Sequence, residues 1–265
     1  MKFQLFLIFL ISSIQLSFHS QTINRLPCID KEFNVVVHIF KDSLGNSDIS
    51  ETVINMNFDS LNVDFSPICA SFNICEFVYH SNFQYDTLLT DYEWGEVKNL
   101  YNREKRINVY YVNEILFLMP KEVCGFATLS GIGMLYDSGI AIKKFDCCGP
   151  DSKTLSHEFG HYFGLMHTWE ADLGAELADG SNCSTSGDFI CDTPADPFIE
   201  GDDPNDYVDP NTCQFYSLKK DANNQFYNPL VGNIMSYYQD QCNCGFTYQQ
   251  YLKMANTYLN NIGMW

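Results

Sequence analysis

The chain has 265 residues, 46% of them apolar and 18% charged, which allows one generous domain with a substantial core and is too apolar for disorder. Its net charge of −18 argues against nucleic acid and anionic membrane as partners, because both select for Lys and Arg. No self-similar period is visible, so a solenoid is excluded.

In chain order, Lys2 leads into the largely apolar Phe3–Phe18, and small Ser20 precedes Gln21. This reads as a cleaved signal peptide over residues 1–20, and a run of roughly 16 residues broken by Gln4, Ser12, Ser13 and Gln15 is short for a bilayer span. A secreted, extracellular chain without stable membrane association is expected, with residues 21–32 as a short N-terminal segment and 33–265 as one two-lobed domain. Phe33–Phe40 is a β-branched run that reads as a buried strand, and Asp42–Asn46 is turn chemistry. Asp48 is expected to cap a helix, with Glu51 three residues on and Val53, Ile54, Phe58, Leu61 and Phe65 as its apolar face. Phe72–Tyr79 suits a strand, Tyr92–Asn102 a helix and Arg106–Val112 a third strand. Two short β-type stretches, Gly131–Tyr136 and Gly139–Lys143, come before a helix that starts near Asp151 or Ser152.

The order β-α-β-α-β-β-β-α gives an α/β (α+β) fold, with a twisted, mostly parallel sheet packed on helices. Beyond it, Glu170–Pro210 carries twelve acidic residues among many Gly, Pro and Asn, which predicts irregular, loop-built structure. The last 21 residues, with Phe246, Tyr248, Tyr251, Leu252, Met254, Ala255, Tyr258 and Leu259 as apolar positions, read as a closing amphipathic helix. Eleven cysteines imply mostly disulfides in an oxidising compartment, and the odd count leaves at least one thiol outside such pairing. A thiolate metal site at Cys242-Asn-Cys244 is the weaker reading.

The chemistry concentrates in HEFGHYFGLMH, His157 to His167. Residues four apart on a helix share a face, so His157 and His161 can present two imidazoles to one ion. Glu158 can reach the same point without ligating, and Gly164 can take the left-handed turn that ends the helix and brings His167 back as a third ligand. Three protein ligands leave one position open, the mark of a catalytic rather than a structural zinc. A bare H-E-x-x-H would arise by chance in under about one such chain in a hundred, and with Gly164 and His167 in roughly one in a hundred thousand. His38 and His80 stand alone and read as satisfied strand histidines.

This motif resembles the extended zinc signature of the metzincin metalloproteases. With Thr168-Trp169, Gly187-Asp188 through Asp192-Thr193-Pro194, and Asn233-Ile-Met235-Ser-Tyr237, the chain is similar to the pappalysin family, including its ulilysin-like secreted members, from about Phe33 to the end. The resemblance implies a zinc metalloprotease catalytic domain over residues 33–265, a zinc endopeptidase acting on protein or peptide substrates; a monomer is expected, though nothing in the residues bears on oligomeric state. In it Glu158 is the general base towards a zinc-bound water, and His157, His161 and His167 are the metal ligands. It implies that Met235 forms the Met-turn beneath the histidines and that Tyr237, rather than the competing Tyr238, donates to the oxyanion. It places the substrate on an exposed sheet edge, for which Gly139–Lys143 is the candidate, an ordinary core strand being the alternative.

The same resemblance brings calcium to the acidic loops around Asp188 and Asp192. It also suggests that Cys28 could block the zinc as a latency thiol, with a plain disulfide as the alternative. Cys242 should pair with a cysteine of the 183–213 loops, a mapping blurred by an additional Cys191. Two other readings compete: a secreted zinc-binding or adhesion module that keeps the protease scaffold, and a zinc hydrolase of non-peptide amides.

Overall fold

Strand β1 (Lys31–Phe40) forms because Val, Ile and Phe fill both of its faces, and a strand buried on both sides belongs in the middle of a parallel sheet. It pairs in parallel with β2 (Ala70–His80) on one side and β4 (Ile107–Val112) on the other. The full order is β2-β1-β4-β7-β6, with β7 (Ile140–Lys143) parallel to β4 and the short β6 (Gly125–Ala127) antiparallel at the end. The computed structural model describes residues 25–117, 123–129, 138–145, 147–149 and 152–262, so the segment 1–20 expected as a signal peptide and the β-type stretch expected at Gly131–Tyr136 lie outside the described residues. Two-residue ladders join β3 (Thr87–Leu88) to β5 (Glu114–Ile115) and β8 (Val208–Asp209) to β9 (Gln214–Phe215).

On one face of the sheet, Phe33, Val35, Val37 and Ile39 meet helices α1 (Glu51–Phe65), α3 (Thr154–Tyr162) and α4 (Tyr248–Asn260) in one core. On the other, Phe40, Tyr110, Val112 and Ala141 meet Trp94 and Val97 of α2 (Asp91–Tyr101). The helices therefore cover both faces, as a parallel sheet requires. Met254, Ala255 and Tyr258 of the closing helix share the core of β1.

Two expectations are corrected here. The α1 cap is Ser50, whose hydroxyl accepts from the Val53 N–H, whereas Asp48 sits at φ 58° in the preceding loop. Gly139–Lys143 is not the sheet edge. All four residues of β7 are buried between β4 and β6, and among the described residues the edge on that side is Gly125–Ala127, β2 being the opposite edge.

Of the cysteines, Cys28 pairs with Cys69, Cys124 with Cys147, Cys183 with Cys191 and Cys213 with Cys242. The Cys28–Cys69 bond removes the thiol that the latency reading needs. Cys213–Cys242 is the pairing expected across the loops, and Cys191 finds its partner eight residues back in Cys183. Among the described residues Cys75, Cys148 and Cys244 are free thiols.

Candidate active site

Helix α3 starts at Thr154, two or three residues later than the sequence suggests, because the Ser152 hydroxyl accepts the Thr154 N–H ahead of it. Leu155, Phe159 and Tyr162 turn into the core, which commits the opposite stripe, His157 and His161, to the cleft. Gly164, at φ 93°, then closes the helix. Its N–H bonds the His161 carbonyl and the Leu165 N–H bonds the Gly160 carbonyl, the paired bonds of a Schellman turn. The chain reverses and delivers His167.

One ring nitrogen from each of the three histidines falls within 4.8 Å of the others. His157 Nδ1 lies 2.7 Å from the Ile234 carbonyl and His161 Nδ1 lies 2.8 Å from the Leu165 carbonyl. A carbonyl only accepts, so each Nδ1 carries the proton and each Nε2 is left as a bare lone pair. His157 Nε2 is buried with no hydrogen-bond partner, which is costly unless something coordinates it. His161 Nε2 and His167 Nε2 stand 3.0 Å apart, and the indole of Trp169 stacks on the His167 ring at 4.4 Å and 9°. Burial holds His157 down to about 3 and His161 to about 4, and holds His167 well below its ordinary value. All three are neutral near pH 7, the form that ligates a metal. The donor set fits zinc: three imidazoles, two of them with tautomers fixed by carbonyls, which leaves a fourth coordination position to water or substrate.

Met235, fully buried, forms the floor. A Cβ placed on Gly160 would come 2.5 Å from its sulfur, so this motif position has to be glycine for the methionine to sit under the helix. The turn at 233–236 is tied by Ser236 N–H and Oγ to the Asn233 carbonyl, and Asn233 and Gln250 of α4 exchange two side-chain amide hydrogen bonds. Gln250 and the two orienting carbonyls are not apparent in the sequence. Gln250 looks like one more polar helix residue, and a carbonyl carries no residue signature.

Glu158 is 6% exposed, and burial pushes its carboxyl up to about 8. It lines a cleft of about 470 Å³ together with Gly125, His157, Tyr237 and Asp240. The Tyr237 ring packs 5.5 Å from His157 and 4.7 Å from His167. Tyr238 instead gives its hydroxyl to Asp196 at 2.6 Å.

The two acidic candidates separate. Asp192 accepts from Thr247 Oγ1 and Gln249 N–H and so serves the N-terminus of α4. Asp188 is fully buried, with both carboxylate oxygens about 3 Å from Thr193 Oγ1.

A mostly parallel α/β sheet, with a helix carrying two of the three clustered histidines above a buried methionine, defines a metallopeptidase domain of metzincin type. The chain belongs to the peptidase family described as Pregnancy-associated plasma protein-A, whose family model matches residues 91–259. An extracellular metalloprotease of Neurospora crassa is 26% identical over 176 residues, covering 61% of this chain and 56% of the relative. One from Pyricularia oryzae is 25% identical over 245 residues, covering 87% and 74%. The chain thus spans little more than half the length of the Neurospora relative. Among solved structures, myroilysin aligns over 86% of this chain and 93% of its own, at 14% identity and a TM-score of 0.37.

Proposed function

We propose that the chain is a secreted zinc endopeptidase, with His157, His161 and His167 as ligands, Glu158 as general base and Tyr237 as oxyanion donor. The observation that carries this reading is the set of three neutral imidazoles, two with carbonyl-fixed tautomers, whose bare nitrogens face one point. Zinc bound there would supply Lewis acidity, making a water acidic near neutral pH and polarising a carbonyl.

The rest falls to the chain's own side chains. Glu158 takes a proton from the attacking water and passes it to the leaving amine, which requires a carboxyl that can both accept and release near neutrality. Its raised value of about 8 reflects burial, and a dication nearby would draw it back towards that working range. Burial keeps the Tyr237 phenol protonated far above its ordinary range, so it is a donor at working pH. Tyr238, already committed to Asp196, is not free for that role.

The peptide's path follows from the hydrogen bonds of β6. Cys124 O accepts from Lys143 N–H and Thr128 N–H donates to Gly139 O, so the even-numbered residues face β7. The main-chain groups of Gly125 and Ala127 are turned outward along the cleft, where an extended substrate can add as a further strand and be held with little dependence on its sequence. Four disulfides suit secretion into an oxidising compartment, and no helix among the described residues is long and apolar enough to cross a membrane. Purified Glu158→Ala should keep its zinc and lose peptide hydrolysis by several orders of magnitude. Undiminished hydrolysis by this variant would refute the assignment.

Calcium at Asp188 belongs to the same reading. Thr193 Oγ1 has one proton to give, yet it faces both Asp188 oxygens and the Ile190 carbonyl at 2.6 Å. Burial pushes Asp188 up to about 6, and burial with Asp188 alongside pushes Glu176 to about 7. A cation among these oxygens relieves both problems. The expected result is a melting temperature several degrees higher in calcium than in EGTA at constant zinc; superimposed melting curves would remove calcium from the account.

A further inference from the structure

The antiparallel edge strand holds a feature that main-chain pairing with substrate does not explain. Gly125 has its Cα against the side chain of Glu158. A Cβ built there would lie 2.6 Å from Glu158 Cγ, 2.9 Å from Cδ and 2.7 Å from Oε1. Positive φ does not account for this glycine, because Gly125 is not among the left-handed positions of the chain and pairs regularly with Ile142. An edge strand gains nothing from a glycine, since it forgoes side-chain packing and weakens the ladder. Space beside Glu158 is what remains.

We propose that Gly125 is a positioning residue for the general base: the missing side chain on the substrate-binding edge is the seat of the Glu158 carboxylate. Helix α3 fixes the Cα of Glu158, so the carboxylate's place is decided by the wall it leans on. That wall is the backbone of β6, held to β7 on one side and tied to Cys147 through the neighbouring Cys124. One strand therefore positions the peptide and the group that acts on it, and their separation is set by the packing of α3 against β6 rather than by a loop.

The clash that an alanine would create falls on a flexible side chain and not on backbone. The low-cost relief is rotation of Glu158 into the open cleft, which leaves the fold and the three histidines untouched. Gly125→Ala should therefore behave as a base-displacement variant, not as a folding variant.

The inference rests on Glu158 being the base, so Gly125→Ala is compared with Glu158→Ala, Glu158→Asp and the pair Gly125→Ala/Glu158→Asp. Zinc content, melting temperature, kcat and KM are measured for each. Gly125→Ala should keep its zinc and melt with the wild type, while kcat falls about 100-fold, the scale for a reacting group misplaced by an ångström, and KM changes little. Aspartate is one methylene shorter and makes room, so the alanine should cost Glu158→Asp no more than a few-fold. A fully active Gly125→Ala, the same fold-loss in both backgrounds, or a loss that follows zinc or melting temperature would each overturn it. Should Gly125→Ala fail to fold, recovery of folding and zinc in the paired variant supports the seat, and continued misfolding overturns it. An active Glu158→Ala would instead strike down the general-base reading itself.

Discussion

At Gly160 two effects of opposite sign compete. Alanine is the better helix former by about 1 kcal/mol, so an exposed position would gain from the change. Here the added methyl would meet the Met235 sulfur at 2.5 Å in a fully buried floor, and overpacking of that kind costs about 1–3 kcal/mol. The clash wins: Gly160→Ala should melt several degrees below the wild type and hold zinc more weakly, because Met235 and the neighbouring Ile234 carbonyl move together. A variant that melts at or above the wild type would show that the floor has room. The motif was legible at this scale because its spacing alone brings the two helical histidines together. The glycine's reason was not, since it depends on a methionine 75 positions away.

Strands β1 and β4 carry signals strong enough to read from the chain, because buried parallel strands are continuous apolar runs, and β2, at the opposite edge of the sheet, shows as an alternation along Phe72–Tyr79. Strand β6 carries no such signal: three residues show no period, and its importance lies in being last on its side of the sheet among the described residues. Placing the edge at Gly139–Lys143 rests on the resemblance, and its alternative, an ordinary core strand, is the one the sheet bears out. A run of Ile-Ala-Ile cannot reveal whether another strand covers it.

The two histidines read as satisfied strand residues turn out to form a pair across β1 and β2. His38 Nδ1 is 3.0 Å from His80 Nε2, and His38 Nε2 is 3.0 Å from Asn108 Oδ1. Burial holds His38 down to about 3 and, with Arg103 nearby, His80 to about 4. Both folded values lie below the unfolded value of about 6.5, so the unfolded chain takes up these protons first as pH falls. The stability they contribute is intact above pH 6.5 and is lost as pH drops from there towards 3–4. For fully buried His38 the loss is about 1.4 kcal/mol per pH unit. Urea unfolding between pH 7.5 and 5 should show the wild type losing stability faster than His38→Gln, which keeps an amide for Asn108 but does not titrate. Equal slopes would mean that His38 is not part of the acid response.

Across the whole molecule, a regular α/β lobe supplies the helix with two histidines, and an irregular lobe returns the third histidine, the floor and the phenol. The second lobe has little apolar periodicity and relies on cross-links and local bonds: Cys183–Cys191, Cys213–Cys242, and the Asn233–Gln250 pair that ties the Met-turn to α4. Its composition announced loops correctly, but nothing in composition says where loops go, so the cleft wall and the pairing of Cys183 with Cys191 had to come from the structure. The central claim is that both lobes aim three imidazoles at a single zinc. Metal analysis of the purified chain, with equilibrium zinc titration of each single histidine-to-alanine variant, tests it most directly. The account predicts about one zinc per chain in the wild type and in Glu158→Ala, with affinity falling by orders of magnitude in His157→Ala, His161→Ala and His167→Ala. A chain that takes up no transition metal, or histidine variants that bind it as the wild type does, would contradict it.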